Sequence, residues 1–336
     1  MSVPSHLGFV LGRRCTARCG ICYVHNELMI SRGASRADSL PLFGSDKMPT
    51  GEMDPERYSQ ILAAYPSVRT VDVASIGETF DYPFFDDVFY RTVALAPRIQ
   101  SIGVTSNGSK LDLHQCVLTY PGFLTVSCDS PDPKQCDELR PNTDGERVWR
   151  NLAFIATTAT RHPGRAVALN MIISRKNFNK IGEMADKLSS FGIRYLTCLR
   201  AIHLSSQSFA GDITADEMRW DEPEVREIIL AARRRHPEMV IADHFTYFDG
   251  GLTTAPEGSG HCLWPETGLL VDADGHGRPC CRIQGPDLGD MLTDNPWEHE
   301  VMVRLRKQVV TKCFDTEFAA CIACTSRHGA GTAHLH

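Results

Sequence analysis

Residues 6–22, HLGFVLGRRCTARCGIC, place three cysteines directly after a short apolar segment. The segment has the length and composition of a buried strand, which predicts that Cys15, Cys19 and Cys22 lie on one loop at the end of a strand. Three thiolates on such a loop can ligate three irons of a [4Fe–4S] cluster. The fourth iron is then open, as is typical of catalytic metal sites. A zinc knuckle is the alternative for this motif taken by itself.

The cysteine content of the whole chain points to metal rather than to disulfides. The chain has 336 residues and 13 cysteines, and its first residues lack the apolar region of a signal peptide. In a reducing compartment, this enrichment indicates metal or cluster ligands, and we expect a cytoplasmic protein. The net charge of −6 argues against a general nucleic-acid-binding protein. No run approaches the ~18 apolar residues that a membrane span needs.

Short β-branched segments alternate with helical patterns from residue 6 to about residue 204. This alternation predicts repeated β-α-β units and a parallel sheet in an α/β protein. Six strands are predicted, which favours a partial (β/α)6 barrel over a complete barrel of eight. The predicted strands are residues 6–12, 69–77, 100–108, 123–130, 166–174 and 195–204. A hairpin is predicted within residues 268–281, around an Asp-Gly turn.

The first cysteine motif resembles the signature of the radical S-adenosylmethionine (SAM) superfamily, in which an apolar or aromatic residue, here Ile21, precedes the last cysteine. The resemblance implies a partial (β/α)6 radical SAM barrel. It also implies that SAM binds the open iron through its amino and carboxylate groups. Cleavage of SAM would then give a 5′-deoxyadenosyl radical that abstracts hydrogen from a substrate. An external donor such as flavodoxin or ferredoxin would supply the electron.

Three further segments resemble superfamily motifs in the expected strand order. Gly77 and Glu78 resemble the Gly-Gly-Glu loop that holds the amino group of SAM, although Ile76 stands where the first glycine is usual. Residues 105–108, TSNG, resemble the end of the third strand. Residues 127–140 resemble the Ser-x-Asp…Arg run at the fourth strand. The SAM contacts that the resemblance implies are Tyr23, Gly77, Glu78, Ser127, Arg140, Asn170 and Arg200.

Six cysteines near the C-terminal end predict a second, auxiliary centre. A set of four thiolates, spaced around the hairpin, can bind either Zn²⁺ or a [4Fe–4S] cluster. Beside a radical SAM motif, this layout resembles the SPASM/twitch extension, which implies a second [4Fe–4S] cluster. The predicted ligands are Cys262, Cys280, Cys321 and Cys324, with Cys281 or Cys313 as possible substitutes for Cys280. We therefore predict a barrel over residues 1–245 and a small α+β twitch/SPASM-like module over residues 246–336.

The compact layout resembles radical SAM enzymes of aminoglycoside and sugar biosynthesis. This implies hydrogen abstraction from a carbinol C–H of a small, sugar-like antibiotic precursor, followed by epimerisation or dehydrogenation. Only 14 residues precede Cys15, so we expect no leader-binding domain of the kind common in peptide-modifying relatives. The alternatives are decarboxylation of a nucleoside uronic acid and maturation of a peptide. A non-catalytic, cysteine-rich zinc protein is the alternative from another class.

Epimerisation requires a thiol that donates a hydrogen atom from the opposite face of the radical, and Cys198 is the candidate. Alternation in the sixth strand puts Leu196, Cys198 and Arg200 on one face. An arginine is costly in a dry core, so Arg200 favours a face directed toward the polar mouth of the barrel. The alternative is an inert cysteine, because free cysteine is among the most buried residue types.

Overall fold

The computed structural model describes residues 3–19, 51–159, 164–200, 222–243, 264–280 and 286–311. Within these ranges, nine strands form one sheet in the order β7-β6-β5-β4-β3-β2-β1-β8-β9. All neighbouring pairs from β7 to β8 are parallel, and β9 is antiparallel to β8. The strands are β1 His6–Val10, β2 Thr70–Ala74, β3 Ser101–Ser106, β4 Gly122–Ser127, β5 Arg165–Ile173, β6 Tyr195–Arg200, β7 Val240–Asp243, β8 Gly268–Val271 and β9 Gly277–Arg278. The prediction of an α/β protein with a largely parallel sheet is confirmed.

Helices connect the parallel strands. Two of them begin with an aspartate N-cap followed by proline. The Asp54 and Asp132 carboxylates each accept a hydrogen bond from a backbone N–H of the first turn. Proline suits the first helical position because a backbone N–H there would have no partner within the helix. The helices are α1 Pro55–Ala64, α2 Phe85–Val93, α3 Pro133–Leu139, α4 Gly145–Ala159, α5 Ile181–Ser190, α6 Pro223–Arg235, α7 Trp264–Thr267 and α8 Glu300–Thr311. None of these helices combines the length and the apolarity that crossing a membrane would require.

The two faces of the sheet have different compositions. In β1 to β6, most alternate residues are apolar and buried, and they form one core with the helices. The residues between them are small or polar and surround the barrel interior. The apolar set includes Leu7, Phe9, Val71, Val73, Leu169, Met171 and Leu196. The site is therefore expected inside the barrel and at the carboxyl ends of its strands, where parallel strands of this kind place their functional loops.

The structure adds two parallel strands to the six predicted. β7 extends the sheet beyond β6, and β8 pairs with β1 at the other side. Each contains four residues, which is too short for a periodic pattern to separate a strand from a loop. The predicted hairpin is present as β8 and β9. Because β8 continues the barrel sheet, the boundary between residues 245 and 246 stays a prediction.

We expect Gly122→Ala to destabilise the sheet. Gly122 begins β4 with a φ of +134°, and a Cβ there would lie 2.2 Å from the Ile102 carbonyl oxygen of β3. The strained backbone alone lowers the free energy of unfolding by about 1–3 kcal/mol, and the clash adds to this. Urea denaturation measures the difference.

Gly182→Ala is the matched control, because no atom lies within 4 Å of a Cβ at that position in α5. Its expected effect is neutral or a stabilisation of up to about 1 kcal/mol. If Gly122→Ala and Gly182→Ala unfold at the same urea concentration, the close β3–β4 contact is not a constraint.

Candidate functional site

The segment that carries the first cysteines is bound along its backbone to the loop that follows β2. The N–H groups of Ile76 and Glu78 donate to the carbonyl oxygens of Gly12 and Arg14, at 3.0 and 2.7 Å. A Cβ at Gly77 would lie 2.0 Å from the Arg14 carbonyl oxygen. Only glycine permits so close an approach of the two backbones. Gly77 therefore allows the cysteine loop to pack directly against the loop after β2.

Cys15 and Cys19 are half-buried and lie beyond the carboxyl end of β1. Their loop is also held from the other side, because the Arg18 N–H donates to the Pro141 carbonyl oxygen at 2.7 Å. The Arg18 guanidinium donates to the Cys15 carbonyl oxygen at 3.2 Å. Cys22, the third predicted ligand, lies outside the described residues, as does Tyr23.

Asp129 and Arg140 form a bidentate ion pair beside this loop. Arg140 Nε and Nη2 donate to the two Asp129 carboxylate oxygens at 2.6 and 3.1 Å, and the Ile172 N–H donates to the same carboxylate at 2.8 Å. Burial by itself lowers the pKa of the Arg140 guanidinium, but the charges of Asp129 and Cys19 raise it above its usual value. The ion pair therefore keeps a positive charge next to the Cys19 thiol.

The Glu78 carboxylate is directed at the end of β3. It accepts hydrogen bonds from Ser106 Oγ at 2.6 Å, from the Asn107 N–H at 2.6 Å and from the Phe80 N–H at 3.2 Å. Burial raises the pKa of this carboxyl, and the hydrogen bonds offset only part of the effect. Glu78 thus joins the loops after β2 and β3, so a contact with the amino group of SAM would come in addition to these three bonds.

Further polar groups lie at the same edge of the sheet. Ser127 and Asn170 are paired in register across β4 and β5, and both are half-buried. Within the ranges that the structure describes, Ser75 Oγ and Asn107 Nδ2 are buried without a hydrogen-bond partner. A buried polar atom left without a partner costs about 1–3 kcal/mol, so these atoms suit a polar ligand. The hydroxyl and amide groups beside the cysteine loop fit the amino-acid part of SAM.

A cavity of about 250 Å³ occupies the interior of the barrel. Its wall is built by inward-facing residues of the parallel strands, most of them small or polar. No lysine or arginine is among the wall residues that the structure describes. The polar side chains of the wall are His6, Thr70, Asp72, Ser101, Thr105, Thr125, Asn170, Tyr195 and Thr197. The cavity therefore offers hydroxyl groups and one carboxylate to a bound molecule.

A histidine–aspartate pair lies at the amino-terminal end of this cavity. His6 Nε2 is 2.9 Å from Asp72 Oδ2, and the carboxylate keeps about a third of its surface exposed. The Trp264 ring meets the His6 ring edge-on at 4.7 Å, and its Nε1 donates to the Pro279 carbonyl oxygen at 2.9 Å. The sequence analysis missed this pair. The signal available was a charged residue at the centre of a strand, between Val71 and Val73.

The structure corrects the orientation expected for Cys198. Tyr195 and Thr197 line the cavity, so alternation puts Cys198 on the opposite, helix-covered face of β6, where it has no exposed surface. Burial raises the pKa of the Cys198 thiol, and the nearby Asp243 charge adds to the effect. This thiol does not face a substrate in the cavity, in line with the inert alternative. The side chain of Arg200, which motivated the expectation, lies outside the described residues.

Cys280 is the one predicted auxiliary ligand that falls within the described ranges. It is half-buried after β9 and packs against the hydrophobic core. Across the described part of the chain, no group of three or more His, Cys, Asp or Glu side chains is arranged to hold a metal ion. The auxiliary cluster stays a prediction, since its other predicted ligands lie outside these ranges: Cys262, Cys281, Cys313, Cys321 and Cys324.

No protein-family model and no curated protein matches the sequence. Solved structures match its fold. SuiB from Streptococcus suis bound to S-adenosylmethionine has a TM-score of 0.67 and 14% identity, covering 97% of this chain and 72% of SuiB. Native anSMEcpe with bound AdoMet has a TM-score of 0.64 and 14% identity, covering 95% of this chain and 89% of anSMEcpe. Other structures of these proteins hold the precursor peptide SuiA and the Kp18Cys peptide.

A third structure, BtrN in complex with AdoMet and 2-DOIA, has a TM-score of 0.37, too low to bear on this chain. SuiB and anSMEcpe are radical SAM enzymes with SPASM or twitch extensions. Their likeness to this chain confirms the predicted partial barrel. At 14% identity, the likeness to SuiB and anSMEcpe shows the fold of this chain, and the first cysteines follow the first strand of that fold, as predicted.

Proposed function

We propose that this chain is a radical SAM enzyme that abstracts hydrogen from a small, hydroxylated substrate bound in the barrel cavity. When bound, a [4Fe–4S] cluster and SAM would supply a 5′-deoxyadenosyl radical. The observation that carries the proposal is the position of the Cys15–Cys19 loop, which lies at the carboxyl edge of the sheet and is held there through Gly77. A flavodoxin or ferredoxin is proposed as the electron donor.

The residues at the carboxyl edge have separate roles in this proposal. Cys15, Cys19 and Cys22 would hold the cluster. Arg140 would stabilise the Cys19 thiolate, because a neighbouring cation favours the deprotonated form. The remaining polar groups would bind SAM: Ser75, Asn107, Ser127 and Asn170 from the described edge, together with Gly77, Glu78, Tyr23 and Arg200.

The cavity wall supports an amino-sugar-like substrate over a uronic acid. Asp72 is the only carboxylate among the described wall residues. A protonated amine would be attracted to this carboxylate, whereas a substrate carboxylate would be repelled. Most of the wall surface is apolar, and its serine, threonine and tyrosine side chains can bond the hydroxyl groups of a sugar ring. A peptide side chain is the second candidate, because structures of SuiB and anSMEcpe hold peptides.

The histidine of the cavity wall supports dehydrogenation as the outcome of hydrogen abstraction. Dehydrogenation needs a group that accepts the hydroxyl proton and an oxidant that accepts one electron from the substrate radical. The predicted auxiliary [4Fe–4S] cluster would be that oxidant. The His6 imidazole, oriented by Asp72 at 2.9 Å, is suited to accept the proton because a histidine paired with a carboxylate is a common general base. The proton would pass from the substrate hydroxyl to the imidazole.

We expect Cys19→Ala to abolish the cleavage of SAM. The variant removes one of three thiolates that would hold the cluster, so anaerobic incubation with SAM and dithionite should give no 5′-deoxyadenosine above background. Cys198→Ala is the control, because Cys198 lies on the helix-covered face and should leave 5′-deoxyadenosine formation intact. Substantial 5′-deoxyadenosine from Cys19→Ala would contradict the proposed site.

Gly77→Ala should lower the iron content of the anaerobically reconstituted protein at least severalfold. The added Cβ would overlap the Arg14 carbonyl oxygen and displace the cysteine loop from the loop after β2. Iron and sulfide analysis measures the effect, and Gly182→Ala provides the control. Full iron content in Gly77→Ala, with an unchanged visible spectrum, would show that the close approach is not needed to hold a cluster.

Asp72→Asn tests the substrate class. Among aminocyclitol and amino-sugar candidates, any compound that stimulates 5′-deoxyadenosine formation should lose affinity about tenfold or more in this variant, since a charge-assisted hydrogen bond contributes about 1.5–3 kcal/mol. Basal cleavage of SAM without substrate should be unchanged. An unchanged KM for an amine substrate would remove Asp72 from substrate recognition.

A further inference from the structure

Two buried thiols lie in contact behind the carboxyl edge of the sheet. Cys128 directly follows β4, and Cys136 belongs to α3. Their sulfur atoms are 3.0 Å apart. The residues are only 1% and 3% exposed, so neither is positioned to act as a ligand in the barrel cavity.

The surroundings of the two thiols are unusual for a hydrophobic core. The Ser130 carbonyl oxygen lies within hydrogen-bond distance of both sulfur atoms, at 3.3 Å from Cys128 and 3.0 Å from Cys136. Trp149 Nε1 donates to the same carbonyl oxygen at 3.1 Å, and the Lys187 ammonium lies 3.7 Å from the centroid of the Trp149 ring. Its positive charge interacts with both thiols. A half-buried lysine beside a pair of thiols favours a thiolate.

The two thiols are not equivalent. The pKa of the Cys136 thiol is lowered, chiefly because the Cys128 thiol donates a hydrogen bond to it. The same contact raises the pKa of Cys128. The other buried thiols of the described chain lack this arrangement: burial raises the pKa of Cys116 to about 12. Cys136 is therefore the more nucleophilic member of the pair.

We propose that Cys128 and Cys136 are a modification site, a dithiol that a peroxide converts reversibly into a disulfide. The Cys136 thiolate attacks one peroxide oxygen, the O–O bond breaks, and the departing oxygen leaves as water with the thiol proton. Cys128 then attacks the resulting sulfenic acid, the S–S bond forms, and the second oxygen leaves as water. Two thiols and one hydrogen peroxide thus give one disulfide and two waters. This inference does not depend on the proposed function.

The disulfide requires little rearrangement. A disulfide has an S–S length of about 2.05 Å, so the two sulfur atoms must approach by about 1 Å. The segment between them contains Asp129, the partner of Arg140 beside the cysteine loop. The site is thus placed where its redox state can alter the surroundings of Cys19.

Peptide mapping of the folded holoprotein tests the proposal. The protein is treated with hydrogen peroxide, unfolded in iodoacetamide and digested with trypsin. Cleavage after Lys134 separates the two cysteines, so a disulfide joins peptide 111–134 to peptide 135–147. We expect this linked pair to accumulate at least tenfold faster in folded than in urea-unfolded protein, and dithiothreitol to remove it.

Cys116 lies in the same tryptic peptide as Cys128 and provides the matched control. Cys116→Ser should leave the linked pair unchanged, whereas Cys128→Ser should eliminate it. Lys187→Met should slow its formation severalfold, because the thiolate loses its neighbouring cation. Two alkylated, unlinked cysteines after peroxide treatment of folded protein would overturn the proposal. So would a linked pair that persists in Cys128→Ser, or equal rates in folded and unfolded protein.

Discussion

The close approach of two backbones at Gly77 is the constraint on which the rest of the site depends. The loop after β2 can accept the cysteine loop against it only because residue 77 has no side chain. The hydrogen bonds of Ile76 and Glu78 to the cysteine loop follow from that contact. Two adjacent parallel strands thus fix the position of Cys15 and Cys19. The cysteine loop is held by its contacts with the loop after β2 rather than by its own sequence.

Buried carboxylates hold further loops in place around the carboxyl edge of the sheet. Glu78 connects the loops after β2 and β3, and Asp129 connects Arg140 to the backbone of β5. Each carboxylate accepts three hydrogen bonds, and a buried carboxylate is tolerated only when it is hydrogen-bonded in this way. The same groups set the electrostatic environment of the cysteine loop, with the Arg140 cation near Cys19 and the Glu78 carboxylate turned away toward β3.

The sequence predicted the parallel sheet, the position of the cysteine loop and the edge at which the polar groups meet. These features depend on local pattern and on strand direction. It did not predict β7 and β8, because four residues carry too little periodicity. It assigned Cys198 to the wrong face. Alternation fixed which residues share a face, but the choice of face followed Arg200. The structure instead buries Cys198 in the core beside Met171, its register partner in β5.

The sequence pattern also did not predict two of the side-chain contacts. His6 and Asp72 come from different strands, and Cys128 meets Cys136 only because α3 turns back over the end of β4. Neither pair has a spacing that distinguishes it from chance. The His6–Asp72 contact depends on strand register, which a single sequence specifies only through the hydrophobic alternation of its strands.

The pairing of β8 with β1 limits where the chain can be truncated. Without β8, the strand that leads into the cysteine loop would expose a row of unsatisfied backbone groups, and exposed edges of this kind recruit other chains into aggregates. The hairpin of β8 and β9 therefore covers the edge of β1, independently of any cluster that the C-terminal region would bind. A fragment ending before the hairpin would retain the cysteine motif but lose the strand that pairs with the edge of β1.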